Sequence, residues 1–217
     1  MRYLIFFILI VSSIYAKDFT PKLSKGEYKF KDTLAYRLKD FNFNWSISYV
    51  RVVSYVKFFG EKKELRYKDL HTVFSSDKRV LSKKDKRDIL YLAKLMNSRE
   101  SYDIKGRYGA WGYRRYVVIF INNDGKMFAL ESKRELKDML GGINTSAELL
   151  MWLRLNYGEY PYSFRYKKGV WRVRYSGWDL GRCYYGEYFK YYNSKGAFIR
   201  KKEIRHYRKK GCIEIME

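Results

Sequence analysis

The stretch that decides the fold is residues 171–207, which read WRVRYSGWDLGRCYYGEYFKYYNSKGAFIRKKEIRHY. At its start, apolar or aromatic side chains alternate with arginines, and β-branched and aromatic residues remain frequent to its end. A period of two in such residues predicts β-strands. The segment Asn193-Ser194-Lys195-Gly196 has the composition of a turn and separates two of these strands. Residues 160–216 are therefore predicted to form an antiparallel meander of three or four strands.

Upstream of the meander, the sequence predicts a hairpin and two helices. Asn123-Asp124-Gly125 lies between two apolar-rich runs, and Asp-Gly favours a hairpin because glycine takes the positive φ of the turn without a Cβ clash. Ser132-Lys133-Arg134-Glu135 and Thr145-Ser146-Ala147-Glu148 both have the spacing of a capping box, which begins a helix. The second helix continues through Leu149–Leu155, which is nearly all apolar, so we expect it to be largely buried.

The N-terminal half contains one clear strand and one clear helix. Residues 45–59 alternate with a period of two and predict a strand that ends at Gly60. Ser82 precedes residues 83–97, whose apolar side chains recur on one helical face. Residues 17–44 show no pattern that assigns them to a helix or a strand.

Together these elements predict an α+β fold, an antiparallel sheet with a few helices and a C-terminal β-meander tied by a disulfide. We divide the chain into a signal peptide (residues 1–16), an N-terminal α/β region (residues 17–112) and a C-terminal α+β domain (residues 113–217).

The first residues have the pattern of a secretory signal peptide. Arg2 supplies a positive charge, Leu4–Val11 is an apolar run, and Ala16 is a small residue at a cleavable position. The alternative is an uncleaved anchor, but the run is well short of the roughly 20 residues that span a bilayer. We therefore expect cleavage after Ala16, export to the periplasm or the extracellular space, and no transmembrane span afterwards.

Cysteine usage agrees with export. The chain has two cysteines, Cys183 and Cys212, both in the β-rich C-terminal part. In an oxidising compartment the simplest expectation for such a pair is one disulfide, with two unpaired thiols as the alternative. Their separation excludes a Cys-x-x-Cys redox motif.

One order of elements resembles a known pattern. A hairpin ending Asp124-Gly125-Lys126, the capped helix after Ser132, the segment 142–150 and a two-cysteine meander ending Gly211-Cys212-Ile213 follow one another. This order resembles a family of uncharacterised bacterial exported proteins, over a little under half of the chain. The resemblance implies the α+β fold and the two-cysteine meander, and it implies no activity.

The sequence offers few residues for catalysis or metal binding. Its histidines, His71 and His206, are far apart, and no spacing typical of metal ligands is present, so no metal and no cofactor are predicted. A secreted hydrolase acting on cell-wall glycan or nucleic acid is the alternative to a binding protein. It would use Glu159, Glu187 or His206 in acid–base catalysis.

The excess of positive charge is the most informative feature of the composition. The chain has 46 Lys and Arg against 23 Asp and Glu, a net charge of +23. Basic residues interleaved with aromatics can bind anionic lipids, acidic glycans or nucleic acid. The candidate residues for an anionic ligand are Arg165, Lys167, Arg172, Arg174, Tyr175, Arg205, Arg208 and Lys209.

We expect a non-enzymatic binding or structural module that contacts an anionic envelope component or an acidic protein through a basic, tyrosine-rich sheet face. Nucleic acid ranks lower, because an exported protein meets the cell envelope first. The alternative is that the charge is spread evenly over the surface and serves no binding face. The sequence leaves the oligomeric state open.

Overall fold

The computed structural model describes residues 23–31, 36–58, 64–77, 80–99, 102–107, 112–178 and 184–208. Within these ranges it contains ten β-strands in two antiparallel sheets and three α-helices, which confirms the α+β class. The described residues do not include the predicted signal peptide, Cys183, Cys212 or Lys209, so export and the disulfide stay predictions. None of the helices in the described ranges has the length and apolar character needed to cross a membrane.

The N-terminal sheet has two long central strands. It contains β2 (Ile47–Phe58), β3 (His71–Ser75), β4 (Lys105–Arg107), β5 (Gly112–Asn122) and β6 (Met127–Ala129). The order is β3-β2-β5-β4, and β6 also pairs with β5. β2 confirms the strand predicted from the alternation at residues 45–59. The β5–β6 turn confirms the Asp-Gly hairpin, and Gly125 has the positive φ, 78°, that the turn requires.

The C-terminal sheet contains the predicted meander. Its strands are β1 (Tyr28–Lys29), β7 (Ser163–Lys167), β8 (Val170–Trp178), β9 (Tyr184–Asn193) and β10 (Phe198–Arg208), and their order along the sheet follows their order along the chain. Strands β7 to β10 confirm the antiparallel meander in its four-stranded form. β1 adds an edge strand from the N-terminal part of the chain.

Three helices accompany the sheets: α1 (Lys83–Ser98), α2 (Lys133–Leu140) and α3 (Ser146–Tyr157). The capping box at Thr145 and Glu148 is confirmed. At α2 the Ser132 hydroxyl accepts from the amide of Glu135 as predicted, but the Glu135 carboxylate accepts from the amide of Glu131 (2.6 Å). The extended backbone at Ser132 brings this preceding amide within reach.

Helix α3 is buried on nearly every side because it lies between the two sheets. On one side, Leu150 and Met151 border a small cavity together with Val52 of β2. On the other, the Trp152 indole N–H donates to the carbonyl of Gly196 (2.9 Å), in the turn between β9 and β10. A helix with a sheet on both faces must be apolar all round, as its sequence indicated.

The predicted boundary between residues 112 and 113 falls at the start of β5. Strand β5 pairs along its length with β2, from Phe58 opposite Gly112 to Ile47 opposite Asn122. The two predicted regions thus share one sheet, and their division into folding units stays a prediction.

Candidate functional site

The C-terminal sheet has two different faces. Its inner face packs on α3 and the segment before it, where the Trp171 indole N–H donates to the carbonyl of Ile143 (2.9 Å). Residues directly opposite each other on neighbouring strands share a face, so the register assigns each paired residue to the inner or the outer face of the sheet. Arg172 lies opposite Arg165 on β7 and opposite Tyr191 on β9, which places all three on the outer face.

The structure brings most of the predicted binding residues together on this outer face. Tyr175 points to the inner face instead, Arg208 is the last residue of β10 and its side chain is outside the described part, and Lys209 lies beyond it. The predicted residues on the outer face are Arg165, Lys167, Arg172, Arg174 and Arg205.

Among the described residues, two carboxylates lie on the outer face, and both are buried in ion pairs. The side chains of Glu27 and Glu187 are only 1% and 3% exposed. Arg174 lies between them, with one guanidinium nitrogen 3.3 Å from Glu27 and the other 2.7 Å from Glu187. Arg172 approaches Glu27 at 3.4 Å, and the Tyr185 hydroxyl donates to Glu187 at 3.0 Å. We call Glu27, Arg172, Arg174 and Glu187 the buried charge chain.

Pairing within the buried charge chain favours the ionised forms of Glu187 and Arg174. Burial alone would raise the pKa of Glu187, but hydrogen bonds from Arg174 and Tyr185 outweigh it, and the pKa is lowered. Burial alone would lower the pKa of Arg174, but its bonds to the two carboxylates raise it. The carboxylates are therefore already neutralised from within the protein.

Sequence reasoning missed Glu27, because its partners lie far along the chain. Its carboxylate accepts from the amide of Ser24 (2.7 Å), which closes a turn in which Gly26 has φ 76°. The carbonyl of Lys25 in this turn accepts from Arg165 (3.4 Å). The turn thus rests against the outer face, and its Gly-Glu pair was the only signal that the sequence offered.

Exposed cations occupy the rest of the outer face. Lys167, Arg200, Lys202 and Arg205 are exposed. The Arg200 guanidinium lies 4.4 Å from the centre of the Tyr191 ring, and that of Arg172 lies 4.3 Å from the Phe189 ring. The outer face therefore combines solvent-facing positive charge with aromatic rings.

Arg200 and Lys202, which were not in the predicted set, share the outer face with Arg205 because of two irregularities in β10. The register shifts between Phe198 and Arg200 and again between Glu203 and Arg205. Each shift moves the following residues to the other face. Position 205 therefore shares the outer face with positions 200 and 202, although simple alternation would place it on the opposite face from them.

Tyr175 belongs to a polar cluster on the inner face. The Glu159 carboxylate accepts from the hydroxyls of Tyr175 and Tyr192 and from the Lys190 ammonium group. Burial, strengthened by the neighbouring Tyr192 and Glu159, raises the pKa of Tyr175 far above its usual value. Tyr175 is thus a neutral donor inside the protein, on the opposite face from the cations with which it was grouped.

The sheet separates the residues considered for hydrolysis. Glu187 lies on the outer face in the buried charge chain, whereas Glu159 and His206 border one cavity on the inner face. Glu159 and Glu187 therefore cannot form the carboxylate pair in a single cleft that glycoside hydrolysis needs. Within the described residues, no three His, Cys, Asp or Glu side chains converge as metal ligands would.

Comparison of the chain with models of protein families, with curated proteins and with solved structures finds no match.

Proposed function

We propose that the protein is an exported, non-enzymatic binding module whose outer face holds an anionic component of the cell envelope. One observation carries this proposal: Glu27 and Glu187, the outer-face carboxylates in the described part of the chain, are buried and paired, while Arg200, Lys202 and Arg205 stand exposed. The described side chains therefore give this face a net positive electrostatic potential.

The chemistry of the exposed groups suits phosphate or carboxylate groups on a surface or polymer. Arginine binds such oxygens through two parallel hydrogen bonds, and its planar group also stacks on aromatic rings. Close to an anionic lipid surface, each Lys or Arg contributes about 1 kcal/mol, and salt screens the attraction. Three clustered cations could thus supply about a hundredfold in affinity, since every 1.4 kcal/mol is tenfold.

An acidic envelope polymer or lipid is preferred to nucleic acid because of the predicted export. This preference depends on the signal peptide and on the pair of cysteines, which the sequence alone supports. The same surface in the cytoplasm would meet nucleic acid first.

The test reverses the exposed charges and leaves the buried charge chain intact. The variant Arg200→Glu/Lys202→Glu/Arg205→Glu is compared with Lys83→Glu/Lys84→Glu/Arg87→Glu, which makes the same change in formal charge at exposed positions of α1. Sedimentation with vesicles containing anionic lipid, and with isolated cell-wall sacculi, measures retention at low and high salt.

Loss of the three cations alone would cost about a hundredfold, and the new carboxylates add repulsion. We therefore expect the outer-face variant to lose at least about a hundredfold in affinity for at least one of these two surfaces, and the α1 variant to stay close to wild type. Equal losses in both variants would mean that total charge, rather than this face, causes binding. Undiminished retention of the outer-face variant would refute the proposal. Stronger retention on single-stranded DNA than on vesicles and sacculi would reassign the face to nucleic acid.

A further inference from the structure

The inner face of the C-terminal sheet contains a cavity that the proposed function does not use. Its volume is about 500 Å³, and it opens beyond the end of α3, where Gly158 and Glu159 border it. The remaining walls come from β8, β9 and the edge strand β10. This volume lies within the range of small-molecule sites, roughly 300–1,000 Å³.

Two glycines form the floor of this cavity. Gly177 of β8 and Gly186 of β9 lie directly opposite each other, and His206 of β10 is the next residue across. A Cβ atom added to either glycine would meet nothing within 4 Å, and neither glycine needs a positive φ. Glycine weakens a strand and often marks a place where a ligand approaches the backbone closely. Neither the backbone conformation nor the packing requires glycine at these two positions. A ligand that lies on the floor of the cavity would require it, because any side chain there would occupy its place.

Aromatic pairs stand on either side of the floor. Tyr175 and Tyr188 are stacked, with ring centres 5.2 Å apart and planes 11° apart. Tyr184 and His206 are also stacked, at 5.4 Å and 13°. Tyr184 and Tyr188 lie two residues to either side of Gly186, about 7 Å away along the strand. The open floor at Gly186 therefore lies between these two tyrosine positions.

The polar groups around the cavity are of mixed sign. Lys201 and Glu203 come from β10, and Glu159 lies at the end near α3. A phosphate or other anion entering here would face two carboxylates. Hydroxyl groups both donate and accept, so they can pair with an ammonium group and with carboxylates at once. Tyrosine rings at the walls suit the apolar C–H faces of a sugar.

We propose that this cavity is a saccharide subsite that binds one neutral sugar ring of a glycan on the glycine floor. The inference goes beyond the proposed function, since it concerns the opposite face of the sheet and a ligand without charge.

The experiment fills the floor and leaves the aromatic walls unchanged. In Gly186→Val the new Cβ meets nothing within 4 Å, and a β-branched residue favours a strand, so we expect a thermal midpoint that equals or exceeds that of wild type. Gly177→Val repeats the test from the neighbouring strand. The probes are chito-oligosaccharides, cello-oligosaccharides and an oligothymidylate, each followed by saturation-transfer NMR and by titration of tyrosine and tryptophan fluorescence.

We expect wild type to bind at least one of the two saccharides, and the glycine variants to bind it at least tenfold more weakly at unchanged thermal stability. Absence of saccharide binding by wild type, or equal binding by the variants, would overturn the proposal. Binding of oligothymidylate alone, lost in the variants, would overturn it in favour of a base-stacking site.

Each of the two proposals can be refuted without refuting the other. Gly186→Val should keep wild-type retention on anionic vesicles and sacculi. The outer-face variant Arg200→Glu/Lys202→Glu/Arg205→Glu should keep wild-type saccharide binding. Loss of both activities in either variant would contradict the assignment of the two ligands to opposite faces.

Discussion

Replacing Arg174 by methionine would leave two buried carboxylates without their shared cation. Glu27 and Glu187 are almost fully excluded from solvent, and Arg174 is paired with both. Removing one partner of a buried ion pair typically costs about 3–5 kcal/mol. Glu27 would keep its contact with Arg172, and Glu187 would keep the bond from Tyr185, so we expect about that amount rather than twice as much. Such a loss is a large part of the roughly 5–15 kcal/mol that stabilises a domain.

Urea unfolding, followed by circular dichroism, measures the free energy of unfolding of Arg174→Met. Lys202→Met is the matched control, since it removes an exposed cation from the same face and should change stability by less than about 0.5 kcal/mol. Adding Glu187→Gln to Arg174→Met should recover part of the loss, because it removes one buried charge. A loss in Arg174→Met no larger than in the control would refute the reasoning that these charges are buried and interdependent.

Two further predictions concern a turn and an acid titration. Gly196→Ala should destabilise the protein by more than about 1 kcal/mol, because φ is 72° and the new Cβ would overlap the Trp152 indole. The control is Gly177→Ala, whose new Cβ meets nothing within 4 Å and should leave stability unchanged or raise it. Thermal unfolding compares the two variants, and equal midpoints would contradict the predicted loss in Gly196→Ala. The pKa of Glu187 in the folded protein lies below 4.5, its usual value in the unfolded chain. The ionised Glu187 side chain therefore stabilises the fold fully above about pH 4.5, and this stabilisation is lost as the pH falls through the folded-state pKa. Urea midpoints between about pH 3 and pH 6 should thus fall less steeply in Glu187→Gln than in wild type, and parallel curves would disprove this.

Much of the local structure could be predicted because its causes are local. The caps at Ser132 and Thr145, the Asp-Gly hairpin and the period-two strands each depend on residues within a few positions of one another. Glu135 shows the limit of prediction from local motifs. A capping box predicts a bond from the amide of Ser132, but the Glu135 carboxylate accepts from the amide of Glu131, one residue further. That difference depends on the path of the incoming chain.

The candidate site was predicted in part. Alternation along β8 was enough to place Arg172 and Arg174 on one face, and the pairing with β7 adds Arg165. Alternation fails in β10, where a register shift brings Arg205 to the same face as Arg200 and Lys202. A register shift depends on pairing with β9 and has no signature in the composition of β10.

The sequence by itself determined the α+β class, the meander, the buried character of α3 and the excess of positive charge, because these follow from composition and short-range periodicity. Only the tertiary structure decided that Glu27 joins Arg174 and Glu187, that Tyr175 faces inward, and that paired glycines open a cavity beneath His206. The physical reason is that these arrangements depend on strand register and on contacts between distant segments. Which cations remain exposed on the outer face therefore depends on which of them the fold has already neutralised.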